Sequence, residues 1–122
     1  MIAFREAFPI LYVDDVERAA AFYTSTFGFA ETFRHEDEDG VADFAFLALE
    51  PHGIGIGKRP DDDGGRDFAL WLYADDVDEA AERLRATAAT EIMAPADQEW
   101  GERMCAFVDP FGHVIHVGAK VR

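Results

Sequence analysis

A segment from the first half of the chain returns in the second, which limits the fold to architectures built from two copies of one unit. Val13-Asp14-Asp15-Val16-Glu17 with Ala19-Ala20 recurs as Ala74-Asp75-Asp76-Val77-Asp78 with Ala80-Ala81, 61 residues on, half the length of a 122-residue chain. Near the end of each half, Glu50-Pro51-His52-Gly53 recurs 59 residues on as Asp109-Pro110-Phe111-Gly112. Two modules therefore share one plan.

Each module opens on a short apolar run, residues 8–13 and 68–73, too short for a helix and rich in aromatic and branched side chains, as in a strand. Acidic pairs follow. Val16, Ala19, Ala20, Tyr23 and Phe27, and in the second copy Val77, Ala80, Ala81 and Leu84, recur at helical spacing. The preceding aspartates suit the N-cap, with Asp14 and Glu17, and Asp76 and Glu79, at capping-box spacing, and Gly28 suits the C-cap. Strands are then expected over 31–35, 43–48 and 54–58, and over 91–94, 103–108 and 114–117. The unit is βαβββ, giving modules at 1–58 and 67–122 joined by the Asp- and Gly-rich linker 59–66. One helix covers one face of each sheet, so pairing the modules leaves a cupped face for a ligand or an interface.

Composition narrows the function. Hydrophobic residues make up 49% of the chain, with eleven Phe, enough for a folded core and too many for a disordered tail. No apolar run approaches the roughly 20 residues of a membrane span. The first dozen residues lack the pattern of a secretory signal, and the single Cys105 cannot form an intrachain disulfide, so a cytoplasmic protein is expected. Eleven basic against twenty-five acidic residues give a formal charge of −14, which repels nucleic acid and anionic lipid and favours a cationic ligand.

The repeated plan, with Val13-Asp14-Asp15-Val16 running into Ala21-Phe22-Tyr23 and Phe27-Gly28-Phe29, and the ending from Trp100-Gly101-Glu102-Arg103 to Asp109-Pro110-Phe111-Gly112-His113, resembles the vicinal oxygen chelate superfamily. That group includes glyoxalase I, extradiol dioxygenases, fosfomycin resistance enzymes and the metal-free bleomycin resistance proteins. The resemblance implies an α+β fold of two βαβββ modules with cupped mixed sheets, in a swapped homodimer. Its enzymes hold a divalent metal on His and Glu at four equivalent strand positions. Carried onto this chain these are Phe8, Gly57, Ala69 and His116, of which only His116 can ligate. No metal or other cofactor and no catalytic residue is therefore expected.

Within the superfamily the pattern looks most like the bleomycin resistance proteins, which sequester a bulky cationic drug between subunits by stacking its flat end on protein rings. By local context the resemblance places Phe33, Trp71 and Trp100 against the ligand, and Phe8, Ala69 and His116 around it. Trp71 shares strand parity with Ala69 and Tyr73, although a large ring on a strand also serves as core. Trp100 sits among Asp97, Gln98, Glu99 and Glu102, company too polar for deep burial.

Other chemistry is weakly signalled. His113 and His116, three apart on an expected strand, point to opposite faces and cannot share an ion. Gly53-x-Gly-x-Gly57 has no helix after it to receive a phosphate, and reads instead as a strand beside a close-packed neighbour. Cys105 lies mid-strand with no activating partner in view. The first expectation is a binding protein that traps an aromatic, cationic antibiotic of the bleomycin type. The alternatives are a superfamily enzyme (lyase, isomerase or dioxygenase-like) with a non-standard metal site, or an interaction module whose tryptophans seal a dimer.

Overall fold

The computed structural model describes residues 2–61 and 67–121, so most of the expected linker lies outside the described residues. The elements are β1 (Phe4–Val13), α1 (Val16–Phe27), β2 (Ala30–Glu36), β3 (Ala42–Leu49), β4 (His52–Lys58), β5 (Phe68–Ala74), α2 (Val77–Arg85), β6 (Thr90–Asp97), β7 (Glu102–Val108) and β8 (Val114–Lys120). The fold is α+β, two successive βαβββ units. By contacts, residues 8–68 form one compact module, and Ala69 onward, with the N-terminal residues up to Ala7, forms the other.

In the first module the strands run in the order β1, β4, β3, β2, with β1 parallel to β4 and the other pairs antiparallel. Helix α1 is capped by Asp15, whose carboxylate accepts the Arg18 N–H. The capping box expected from Asp14 and Glu17 is not used, because the helix begins at Val16 and the cap falls one residue later. Gly28, at φ 84°, closes the helix in the left-handed conformation that glycine adopts without penalty. Val16 and Ala20 bury one helix face against Ala45, Leu47 and Ile56.

The opposite face of this sheet is a layer of rings over glycine. Register places Phe44 beside Gly57 and Phe46 beside Gly55. A Cβ on Gly53 would lie 2.3 Å from the Phe46 ring, one on Gly55 2.9 Å from Phe44, and one on Gly57 3.1 Å from Tyr12. The alternate glycines of β4 are the space in which those rings lie, in keeping with the close packing read from their spacing.

The second module repeats the plan in the order β5, β8, β7, β6, with β5 parallel to β8. Asp76 caps α2 by accepting the Glu79 N–H, as its capping-box spacing suggests. Arg83 and Arg85 stand in the last turn, where the helix dipole favours positive charge. Val77, Ala80 and Ala81 pack on Cys105, Phe107 and Val117, and Ile2 joins this core. Most strands are longer than the apolar runs suggest, because a pairing partner extends a strand into polar sequence. Thus β1 starts at Phe4, through Arg5 and Glu6, and β8 runs on to Lys120. Neither described helix is long and apolar enough to cross a membrane.

Candidate functional site

Strand parity decides which side chains of the second module leave the helix-covered core. Ala69, Trp71 and Tyr73 alternate along β5, and register sets Trp71 beside His116 and Tyr73 beside Gly118. On β7 the same face carries Glu102, Met104 and Ala106, with Ala106 opposite His116 and Met104 opposite Gly118. Cys105 and Phe107 point the other way, into the helix-side core.

The face centres on Trp71. Its ring stacks on the His116 imidazole, with centroids 5.5 Å apart and planes at 30°, and meets Tyr73 edge-on at 5.7 Å. Gly118 gives it room, since a Cβ there would stand 2.7 Å from Trp71 Cζ2. Burial lowers the His116 pKa to about 4, so the imidazole is neutral near pH 7. The Tyr73 hydroxyl donates to Glu102 Oε2 at 2.8 Å, and the Trp100 indole N–H donates to Glu102 Oε1 at 2.8 Å. Desolvation first, then the Glu102 hydrogen bond and charge, holds the Tyr73 phenol well above its ordinary pKa, with a smaller contribution from Glu6. One carboxylate thereby fastens two rings, and the Trp100 ring remains 43% exposed.

The residues singled out from sequence divide between the modules. Trp71, Trp100, Ala69 and His116 belong to the second, where Trp71 and His116 touch and Ala69 is fully buried. Phe8 and Phe33 belong to the first. Phe8 packs edge-on against Phe46 at 4.9 Å, and Phe33 lies 6.1 Å from Phe44 while staying half exposed. Tyr73 and Glu102 were not singled out. The signals were present: Tyr73 has the parity of Trp71, and Glu102 stands two residues beyond Trp100.

The four positions of the expected metal site carry an unsuitable donor set. Phe8 and Ala69 offer no ligand, Gly57 lies under Tyr12, and His116 contributes a single imidazole. A catalytic divalent metal typically takes about three protein ligands and leaves a position open. Among the described residues no group of three His, Cys, Asp or Glu could hold an ion. His113 is not on a strand as expected: it precedes β8, and its Nδ1 lies 3.2 Å from Asp109 in the turn. Cys105 is buried, and desolvation pushes its thiol up to about 11, which leaves it un-ionised at neutral pH.

Two shallow grooves of about 320 Å³ lie on the helix-covered sides. One is lined by residues including Asp75, Asp78, Asp97 and Arg103, the other by residues including Glu17, Glu31 and Arg34. Each is crossed by an arginine paired with acids from both helix and strand: Arg103 with Asp78 and Asp97, Arg34 with Glu17 and Glu31. These ion pairs tie helix to sheet edge and use the groove's charges internally.

The family model for the Glyoxalase/Bleomycin resistance protein/Dioxygenase superfamily matches residues 6–117. An uncharacterized protein of Mycobacterium bovis is 32% identical over 125 residues, covering 93% of this chain and 82% of its own length. One from Mycobacterium tuberculosis is equally similar, with 74% of its length covered. Among solved structures, a variant of Streptomyces coelicolor methylmalonyl-CoA epimerase superposes with a TM-score of 0.75 at 16% identity, covering 98% of this chain and 96% of its own. A superfamily member from Vibrio splendidus superposes at 0.71 with 17% identity, covering 95% and 98%. These structural likenesses carry the fold alone, and the superfamily holds both enzymes and binding proteins. With the family model spanning residues 6–117 and the twice-repeated βαβββ unit in agreement with it, the chain belongs to the glyoxalase/bleomycin resistance protein/dioxygenase superfamily.

Proposed function

We propose that this protein binds a planar, aromatic, cationic small molecule without a metal, as the bleomycin resistance proteins do, and lowers the free concentration of such a compound by mass action. The observation that carries this reading is the aromatic face of the second module, where Tyr73 and Trp100 are fastened to one carboxylate and Trp71 packs against Tyr73. Rings held by packing and hydrogen bonds lose little freedom when a flat guest stacks on them, which favours binding. The donor set at the four superfamily positions supports the same reading, because a single imidazole is too few ligands to hold the metal ion that Lewis-acid chemistry requires. The −14 charge supports it through long-range attraction, which speeds association of a cation at low salt. We assign the working form to a homodimer, so sedimentation equilibrium is expected to return twice the chain mass.

Titration with bleomycin, followed by tryptophan fluorescence, tests the proposal. Quenching that saturates at micromolar drug is expected. Trp100→Ala, which removes a half-exposed ring and leaves the core intact, should weaken binding by about 5- to 30-fold, equivalent to about 1–2 kcal/mol. An unchanged spectrum at tens of micromolar drug would refute drug binding. A stoichiometric divalent ion retained by protein purified without chelator would favour an enzyme instead.

A further inference from the structure

Resting on that reading, we propose that Glu102 is the cation-recognition point of the aromatic face, and that it selects ligands bearing an alkylated ammonium group.

What sets Glu102 apart from the module's arginine-paired acids is its place among the rings. Asp78 and Asp97 pair with Arg103, Glu91 pairs with Arg85, and Asp75 pairs with Arg5. Glu102 lies on the other face of the sheet. Its hydrogen-bond partners are a phenol and an indole, and among the described residues it forms no ion pair. Lys120, its register partner on β8, is exposed and makes no salt bridge to it. Two neutral donors orient the carboxylate without cancelling its charge.

The surroundings choose the kind of cation. A metal ion would demand several oxygen ligands, and only one carboxylate is held in place here. A primary ammonium carries three N–H donors and a guanidinium five, whereas each Glu102 oxygen already accepts one hydrogen bond and keeps one lone-pair site, too few for either. Alkylated ammonium needs no acceptor. Its spread charge is satisfied by a nearby anion and by ring faces, which carry the negative side of the aromatic quadrupole. Tyr73 and Trp100 supply rings, both fastened to the anion itself, while the buried Trp71, held over Gly118, packs edge-on against Tyr73. Glu102 thus both positions the rings and supplies the counter-charge.

The test compares two molecules of one shape: 3-hydroxyphenyltrimethylammonium and its uncharged carbon analogue 3-tert-butylphenol, each titrated calorimetrically into the wild-type protein, Glu102→Gln, and a Tyr73→Phe/Trp100→Phe double variant. The wild type is expected to prefer the cation about tenfold, as several cation–π contacts beside an anion imply. Glu102→Gln keeps the size and an acceptor, and should bring the preference close to unity with little change for the phenol. The double variant keeps the carboxylate and most of the ring surface, so it should retain part of the preference even if the glutamine variant fails to fold. Equal binding of both probes to the wild type would overturn the cation point and leave stacking in place. Binding of neither would overturn the cation point and the aromatic site together, and a full preference surviving in Glu102→Gln would assign the selectivity to another group.

Discussion

Gly118→Ala probes the geometry that holds the aromatic face together. The added methyl would stand 2.7 Å from Trp71 Cζ2 and 3.3 Å from Cε2, against an ordinary carbon contact of about 3.5–4.0 Å. Trp71 must retreat by about 1 Å, yet His116 stacks on it at 5.5 Å and Tyr73 bounds it at 5.7 Å. Overpacking of this kind costs about 1–3 kcal/mol. With an unfolding entropy of about 2.1 cal/mol/K per residue, a chain of this length loses about 4 °C in Tm per kcal/mol, so a fall of about 4–12 °C is expected by calorimetry. Near-UV circular dichroism should change in the tryptophan bands. Because Trp71→Phe deletes the ring atoms that clash, Gly118→Ala should cost at least 1 kcal/mol less on that background, as a double-mutant cycle measures. Additive costs, or a Tm unchanged within 1 °C, would refute the packing argument.

Two further outcomes follow from the same structure. Asp76→Ala removes the carboxylate that accepts the Glu79 N–H and should cost about 1 kcal/mol in urea denaturation, while Asp76→Asn should cost less; equal losses would show that the cap does not act through this bond. The His116 pKa is lowered to about 4 from an ordinary 6.5 by burial, so the unfolded chain binds the extra proton first. This contribution to stability is complete above pH 6.5 and is lost as pH falls toward 4. His116→Gln should flatten the pH dependence of Tm in that window, and a His116 ring resonance titrating near 6.5 in the folded protein would contradict it.

Much of the fold was legible because its strongest constraint is local and occurs twice. The acidic pair before Val16 and Val77 marked both helix starts, and apolar runs marked most strand positions, whereas β2, with Glu31, Arg34 and His35, carries little apolar signature. The helix cap at Asp15 fell one residue beyond the expected pair, since two adjacent aspartates satisfy the same pattern and only the first helical residue decides between them. The start of β1 was hidden because Arg5 and Glu6 lack an apolar signature. Glu6 also adopts φ 53°, a conformation uncommon for a non-glycine residue, which no sequence pattern announces. The site was less legible than the fold. Parity gave the orientation of Trp71, but the link from Tyr73 through Glu102 to Trp100 depends on three-strand register across 29 residues, information carried by pairing and absent from spacing.

The glycines of β4 bear on how such a scaffold changes its guests. Because Phe44 and Phe46 lie where side chains of that strand would otherwise project, the first module is already occupied by its own furniture. Exchanging those two rings for alanine would remove what fills the space over Gly53 and Gly55 while leaving the strand register to the backbone pairing. A lineage could thereby switch a module between furnished and vacant by changing two codons, keeping the frame while renewing what it houses.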